Sequence, residues 1–256
     1  MSVTMPGLAI HLRRISIWKW LVCVRAKPNV TCCGPPTPVF LRSLIIVAGS
    51  SVLWSLAAFA ADVPAAPEDG GPRNWTVTSD GLNLREQPST NASVVTRYAA
   101  GTTLSNLGCQ RTSGRIWCDV QELRGGPRGY VAAEFLKPAV SPDASARMGP
   151  DDSALRAGQG DFDATGKIPC RQTAGQPMGQ CDFGVATAGG GYATVVVTKP
   201  DSVKRAIYFT MGIPIGADTS QADGYPEFNA SRKGDLHLIR IGDERYEIAE
   251  SVVLGG

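Results

Sequence analysis

A largely apolar run without any charged residue, residues 44–60, divides this 256-residue chain into two parts. Arg42 precedes the run, and the run ends in the sequence AFA. A basic start, an apolar middle and an A-x-A exit are the three parts of a secretory signal peptide. We therefore expect residues 39–60 to direct export, with cleavage after Ala60. Because the run is at the short limit for a bilayer-spanning helix, retention as an N-terminal membrane anchor is the alternative.

Residues 1–38 are longer than any signal peptide needs before its apolar run. They contain no acidic residue, but they hold Cys23, Cys32 and Cys33. We expect them to be an extension upstream of the true translation start, or a disordered one. The alternative is a cytoplasmic tail or a small cysteine-based metal site.

The charge of the chain changes sign when residues 1–60 are set aside. All 23 Asp and Glu follow residue 60, while six of the 25 Lys and Arg precede it. Residues 61–256 therefore carry 19 basic and 23 acidic residues, a net charge of −4. This balance argues against a nucleic-acid partner, which a basic protein surface would favour.

Four cysteines remain after residue 60, and they form two close pairs. An even number of cysteines in an exported protein indicates disulfides, and four allow three connectivities. We expect the local one, Cys109–Cys118 and Cys170–Cys181, in which each bridge closes a loop of about ten residues and stabilises the fold by about 2–3 kcal/mol. A metal site is not expected, because His237 is the one histidine after residue 60 and no C-x-x-C spacing occurs. Nothing in the sequence implies a cofactor.

Composition and periodicity predict two β domains. Residues 61–74 are rich in Ala, Pro and Gly, which indicates a flexible leader. A first domain is expected at residues 75–138 and a second at residues 161–256. Residues 139–160 between them are expected to form a linker. Short apolar or alternating runs typical of strands occur in both domains, and no sustained helical period appears. The expected fold class is therefore all-β, with helices short and few and one local disulfide in each domain.

Two local patterns make the strand prediction specific. Ile116, Cys118 and Val120 alternate with polar or aromatic neighbours, as in a half-buried strand. In the second domain, Gly242 is the first residue of a two-residue connection between the runs LHLIRI and ERYEI, which a type II′ hairpin turn requires. Tyr246 and Ile248 of the second run should then share one face.

The first domain resembles the bacterial SH3-type (SH3b) family of exported proteins. The resemblance rests on LNLR followed by PS at residues 82–89, AGTTL at residues 100–104, WC at residues 117–118 and GYVxxxFL at residues 129–136. It implies a compact, strongly twisted β-barrel of five to seven strands. In this frame Gly101 is expected to supply a turn, and Gly129 a chain reversal before the closing strand.

The resemblance also implies a function class. Domains of this family commonly act as cell-wall-targeting or protein-binding modules, so the expected partner is peptidoglycan or an envelope protein, in the periplasm or outside the cell. Trp117 and Tyr130 are the candidate binding residues, since strand alternation turns Trp117 away from Cys118 and an exposed indole can stack on a sugar or peptide. A twisted strand in so small a barrel often buries both faces, which would place either ring in the core instead.

The second domain is similar to tail domains that accompany this barrel in exported proteins of Gram-negative bacteria, through the stretches GDERYEI and CDFG. No activity follows from that resemblance. A cysteine peptidase using Cys181 and His237 is disfavoured, because Cys170 would consume the thiol, glycines follow Cys181, and no second histidine orients the first. We expect His237 to be solvated or hydrogen-bonded. The leading prediction is a non-catalytic binding protein; an inhibitor of a lysozyme-like hydrolase is the alternative, and a cell-wall hydrolase a further one.

Overall fold

The computed structural model describes residues 62–219 and 224–255, all of which belong to the compact unit Ala58–Gly256. Strands dominate these residues, as predicted, and form two antiparallel sheets. Each sheet has its own hydrophobic core and its own disulfide. The extension predicted at residues 1–38 and the signal segment predicted at residues 39–60 lie outside the described residues.

The first sheet corresponds to the predicted barrel. Its strands are β1 (Asn74–Val77), β2 (Leu82–Arg85), β3 (Val94–Tyr98), β4 (Thr103–Thr112), β5 (Arg115–Glu122), β6 (Arg128–Ala132) and β7 (Leu136–Pro138). They are hydrogen-bonded in the order β3-β2-β6-β5-β4-β1-β7, and a 3₁₀ turn at Ala133–Phe135 precedes β7. The core side chains are Trp75, Val77, Leu82, Leu84, Tyr98, Leu104, Cys118, Val120 and Val131. Because six of the seven strands contribute to this one core, the sheet curls around it.

A tight hairpin joins β4 to β5 and carries the first disulfide. Its two turn residues, Ser113 and Gly114, have φ of 51° and 80°, as a type I′ turn requires. Cys109 and Cys118 lie directly opposite each other on the two strands and are bonded, with 3.9 Å between their Cα atoms. The predicted first pairing is confirmed.

The second sheet has eight strands. They are β8 (Ala164–Arg171), β9 (Gly179–Thr187), β10 (Ala193–Thr198), β11 (Lys204–Thr210), β12 (Ile213–Ala217), β13 (Phe228–Lys233), β14 (Leu236–Ile241) and β15 (Glu244–Ala249). Their order is β12-β11-β10-β9-β8-β15-β14-β13, and β12 also approaches β13 and β14. The sheet therefore curls around a core with buried side chains Ile168, Cys170, Cys181, Val185, Ala193, Val195, Val197, Ile207, Phe209, Ile239, Ile241, Tyr246, Ile248 and Val253.

Three predictions about the second sheet are confirmed. Cys170 of β8 and Cys181 of β9 form its disulfide. Gly242, with φ of 57°, begins a two-residue connection in which Ile241 pairs with Glu244. Tyr246 and Ile248 are both buried on the same face of β15, as their alternation predicts.

The described helices are short, as predicted. Helix α1 (Ser153–Gln159) packs Ala157 against Ala186 and Val196, and α2 (Glu250–Leu254) buries Val253. Arg156 of α1 contacts Asp163, which lies beyond the end of the helix, with 2.6 Å between Nη2 and Oδ1. Hydrogen bonds from Arg156 and from the Thr187 amide lower the pKa of Asp163 to about 2.

Residues that the sequence assigns to a flexible leader and a linker make defined contacts. The side-chain amide of Asn106 donates to the carbonyl oxygens of Ala65 and Pro72, at 3.1 and 2.7 Å. Arg73 donates through Nε to the Gly149 carbonyl at 2.9 Å. The low hydrophobicity of both segments predicts that they are flexible. These polar contacts instead hold them against the sheets. The exact domain boundaries stay predictions.

A buried polar contact joins the two sheets. The hydroxyl of Tyr192 donates to Oδ1 of Asn74 at 2.6 Å, and both side chains are buried. The guanidinium carbon of Arg73 lies 4.6 Å from the centroid of the Tyr192 ring. Burial raises the pKa of Tyr192 to about 12, so its hydroxyl keeps the donated proton across the physiological range.

The expected role of Gly129 is wrong. This glycine lies inside β6, opposite Val120, and forms no chain reversal. A Cβ atom at this position would lie 2.5 Å from the carbonyl oxygen of Arg85. Glycine is required there because β2 and β6 approach closely. Gly101, by contrast, has φ of 85° and does supply the turn before β4.

Candidate functional site

A groove of about 350 Å³ lies on the outward face of the first sheet, away from its core. Strands β2, β5 and β6 form its floor, and the turn before β2 and the 3₁₀ turn after β6 form its walls. Its lining residues are Ser79, Asp80, Gly81, Leu82, Asn83, Arg85, Thr90, Arg115, Trp117, Ala132 and Phe135. One predicted binding residue, Trp117, is among them.

Trp117 faces away from the core, and it is nevertheless buried. Its neighbour Cys118 points into the core, so the alternation predicted for this strand holds. Only 3 % of Trp117 is exposed, because Ala132 lies opposite it and the guanidinium carbon of Arg115 sits 5.4 Å from the ring centroid. The groove therefore presents the tryptophan under an arginine, and does not offer the open indole face that sugar stacking requires.

Arg115 is held in this position by Glu134. Two guanidinium nitrogens of Arg115 donate to the carboxylate, Nε to Oε2 at 3.1 Å and Nη2 to Oε1. The side chains are 35 % and 50 % exposed, so water surrounds the pair. Hydrogen bonds from Arg115 hold the pKa of Glu134 below its usual range, and Glu134 stays ionised at neutral pH.

Tyr130, the second predicted binding residue, lies half-buried on the same outward face. Its register partners are Asp119 on β5 and Arg85 on β2. Since Ala132 is opposite Trp117, Tyr130 is the diagonal neighbour of Trp117 across β5 and β6. The structure thus brings the two predicted aromatic residues together on one face, with Trp117 covered and Tyr130 partly accessible.

The polar residues of the groove were not predicted as site residues, and three of them offer amide or guanidinium donors. Arg85 donates from Nη1 to the carbonyl oxygen of Ala92 at 2.7 Å, and Oδ1 of Asn83 accepts from Nε of Arg97 at 3.0 Å. Arg115 is the third. Asn83 and Arg85 alternate with the buried Leu82 and Leu84, so the period of the LNLR motif already indicates that they face outward.

The residues considered for catalysis are not arranged as a nucleophile and base. Cys181 is bonded to Cys170, so the oxidised protein has no thiol at this position. His237 is only 3 % exposed and packs edge-on against Phe209, with 5.4 Å between ring centroids. Its Nε2 has no hydrogen-bond partner, and burial lowers its pKa. The expectation that His237 is solvated or hydrogen-bonded is therefore wrong, because β14 turns His237 inward and Leu236 and Leu238 outward.

Residues 62–219 and 224–255 contain neither a candidate metal site nor a candidate membrane-spanning helix. No group of three or more His, Cys, Asp or Glu side chains could hold a metal ion there. Within the same residues, no helix has the length and apolar character needed to cross a membrane.

The groove lies in a region of the chain that matches a family model. Residues 80–137 match the family model of the bacterial SH3 domain. The resemblance predicted from the sequence is thereby confirmed for this region, which runs from the turn before β2 into β7 and includes every residue lining the groove except Ser79. No curated protein matches the chain. A bacterial SH3 domain suggests a role in binding the cell wall or a protein.

Proposed function

We propose that this chain is an exported, non-catalytic protein of the bacterial cell envelope whose SH3 region binds peptidoglycan through the outward groove. The observation that carries the proposal is the match of residues 80–137 to the bacterial SH3 domain, together with a groove on that same region. Export is supported by the signal-like segment at residues 39–60 and by two disulfides, which persist in oxidising compartments.

The chemistry of the groove suits a ligand that combines sugar and peptide. Arg85 and Arg115 supply guanidinium donors, which pair with carboxylates in a fork geometry, as the stem peptides of peptidoglycan would require. Asn83 supplies an amide, and Phe135 an apolar wall. Because Arg115 covers Trp117, the ligand would contact the guanidinium plane first and reach the indole only if Arg115 moves.

Co-sedimentation with purified peptidoglycan sacculi tests this proposal. Residues 61–256, which lie within the compact unit, would be mixed with sacculi beside the variants Arg85→Gln and Lys137→Gln. Lys137 is the matched control, because it is an exposed cation of the same sheet on the edge strand β7, outside the groove. We expect the wild type and Lys137→Gln to sediment equally, and Arg85→Gln to lose roughly tenfold in affinity, as the loss of one charge-assisted contact predicts.

Two outcomes would contradict the proposal. Equal sedimentation of the two variants would move the binding surface away from the groove. Failure of the wild type to sediment would exclude peptidoglycan and point to a periplasmic protein partner, for which slowing of lysozyme on a turbid cell suspension is the next assay. Soluble fragments released from the sacculi would contradict a non-catalytic role.

A further inference from the structure

Three arginines form a row across the second sheet. Arg171 of β8 is the register partner of Arg245 of β15, and Arg245 is the partner of Arg240 of β14. Asn229 of β13 lies opposite Arg240 and extends the row to a fourth strand. The row cannot be predicted from the sequence alone, because β8 is far from β14 and β15 along the chain.

The row lies on the outward face of the sheet. Cys170, Tyr246 and Ile241, the neighbours of the three arginines along the chain, are all buried in the core. Since successive side chains of a strand point to opposite faces, the arginines point away from that core. Helix α1 covers the β9 and β10 part of the outward face, while Arg171, Arg240 and Arg245 line an open groove of about 400 Å³.

The positive charge of the row is mostly uncompensated. Glu247 accepts one contact from Arg245, at 3.0 Å between Oε1 and NH2. Nε of Arg171 is buried without a hydrogen-bond partner. Arg240 makes no side-chain hydrogen bond or ion pair with any residue that the structure describes. Like charges directly opposite each other on neighbouring strands destabilise a sheet. The row therefore lowers the free energy of unfolding of the protein without a bound anion.

The groove offers what an oxyanion needs. Guanidinium groups bind carboxylate and phosphate oxygens through paired N–H donors. Hydrogen bonds to an ionised acceptor are stronger than hydrogen bonds between two neutral groups. Asn229 and Ser231 line the same groove and add neutral donors beside the row. An anion bound between Arg240 and Arg171 would offset the repulsion along the row.

We propose that this groove binds the oxyanion of a ligand, a phosphate or a carboxylate group, and that the second domain is therefore a second binding module. The site is separate from the groove of the SH3 region. It needs no change in the fold and no residue beyond those already facing it.

Nuclear magnetic resonance of arginine Nε–Hε groups tests the proposal. Residues 61–256 labelled with ¹⁵N would be titrated with inorganic phosphate, and separately with succinate, at a constant ionic strength set by sodium chloride. We expect saturable shifts of the Arg171, Arg240 and Arg245 signals with at least one anion, and the tighter of the two identifies the ligand class. Arg240→Gln should weaken binding by about tenfold or more. Lys204→Gln, which removes a cation from β11 of the same sheet, should leave it unchanged. Unsaturable shifts, or shifts equal in all three proteins, would overturn the proposal.

A measurement without any anion gives an independent check. If repulsion along the row destabilises the sheet when no anion is bound, Arg240→Gln should raise the urea midpoint of the anion-free protein, while Lys204→Gln should not. A lower midpoint for Arg240→Gln would show that Arg240 stabilises the empty sheet, and this would also overturn the proposal.

Discussion

The second sheet buries a cluster of ion pairs, whereas two ion pairs of the first sheet lie on its outward face. In the first sheet, Arg115–Glu134 and Arg128–Asp119 lie on the outward face, where water screens them. In the second, Glu244 is bonded to Arg205 and Lys199 by side chains that are between 6 % and 13 % exposed. The outward face of that sheet keeps the three arginines of the row with a single acidic partner. The same residue types therefore position a groove in one sheet, stabilise the interior of the other, and leave charge available on its surface.

The largest difference should appear when one carboxylate is neutralised in each sheet. Glu244 accepts from Lys199 Nζ at 2.9 Å, from Arg205 Nε at 3.0 Å and from the Tyr246 hydroxyl at 2.9 Å. Glu244→Gln removes the carboxylate that the buried Lys199 and Arg205 share, and removing one partner of a buried pair costs about 3–5 kcal/mol. We expect a loss of that size in the free energy of unfolding, measured with urea.

Glu134→Gln is the matched control, because it makes the same substitution in the exposed pair of the first sheet. Exposed ion pairs contribute about 0–1 kcal/mol, so the urea midpoint should fall only slightly. If both substitutions cost the same, the contrast between a buried and an exposed ionic cluster does not hold for this protein.

His237 extends the contrast to pH. Burial, and then the positive charge of Arg232, lower its pKa below the value of about 6.5 that the unfolded chain has, while Glu250 opposes the shift. As the pH falls from about 7, the unfolded chain binds the proton first, so the free energy of unfolding decreases until the pH passes the folded-state pKa. His237→Phe should abolish this slope between about pH 7 and 5.5, above the range in which ordinary carboxylates titrate.

The same substitution should stabilise the protein by about 1 kcal/mol at neutral pH, because it removes a buried nitrogen without a partner. Urea unfolding at several pH values measures both effects. Since His237 is the one histidine in residues 61–256, a slope that survives in His237→Phe would have to come from another group and would refute the assignment.

The sequence predicts the features that depend on the local alternation of residues along a strand. It does not predict features that depend on contacts between residues far apart in the chain. Alternation places Trp117 and Tyr130 on the outward face, and the hairpin spacing of Cys109 and Cys118 predicts their bond. The sequence allows for the burial of Trp117, because a twisted strand in a small barrel often buries both faces, but it does not identify the cover, Arg115, which is fixed by Glu134, 19 residues further along the chain.

Two other features follow the same rule. The run LHLIRI gives the period of β14, but which face is inward depends on its partners, and His237 packs on Phe209 of β11. The arginine row requires the register between β8 and β15, which no local motif encodes. Pairing of distant strands, and not composition, creates the candidate site of the second sheet.

The smallest effect on stability concerns the cover over Trp117. Residues 61–256 contain two tryptophans, Trp75 and Trp117, and both are buried. Arg115→Gln should uncover Trp117 and shift the fluorescence to longer wavelength, while the free energy of unfolding falls by less than about 1 kcal/mol because the pair is exposed. Arg128→Gln breaks the other outward pair, Arg128–Asp119, and is the control. It should cost a similar small amount of stability without a shift in emission.

Identical spectra for the two variants would mean that Trp117 is buried without help from Arg115, and the outward pairs of the first sheet would then have no role in shaping its groove.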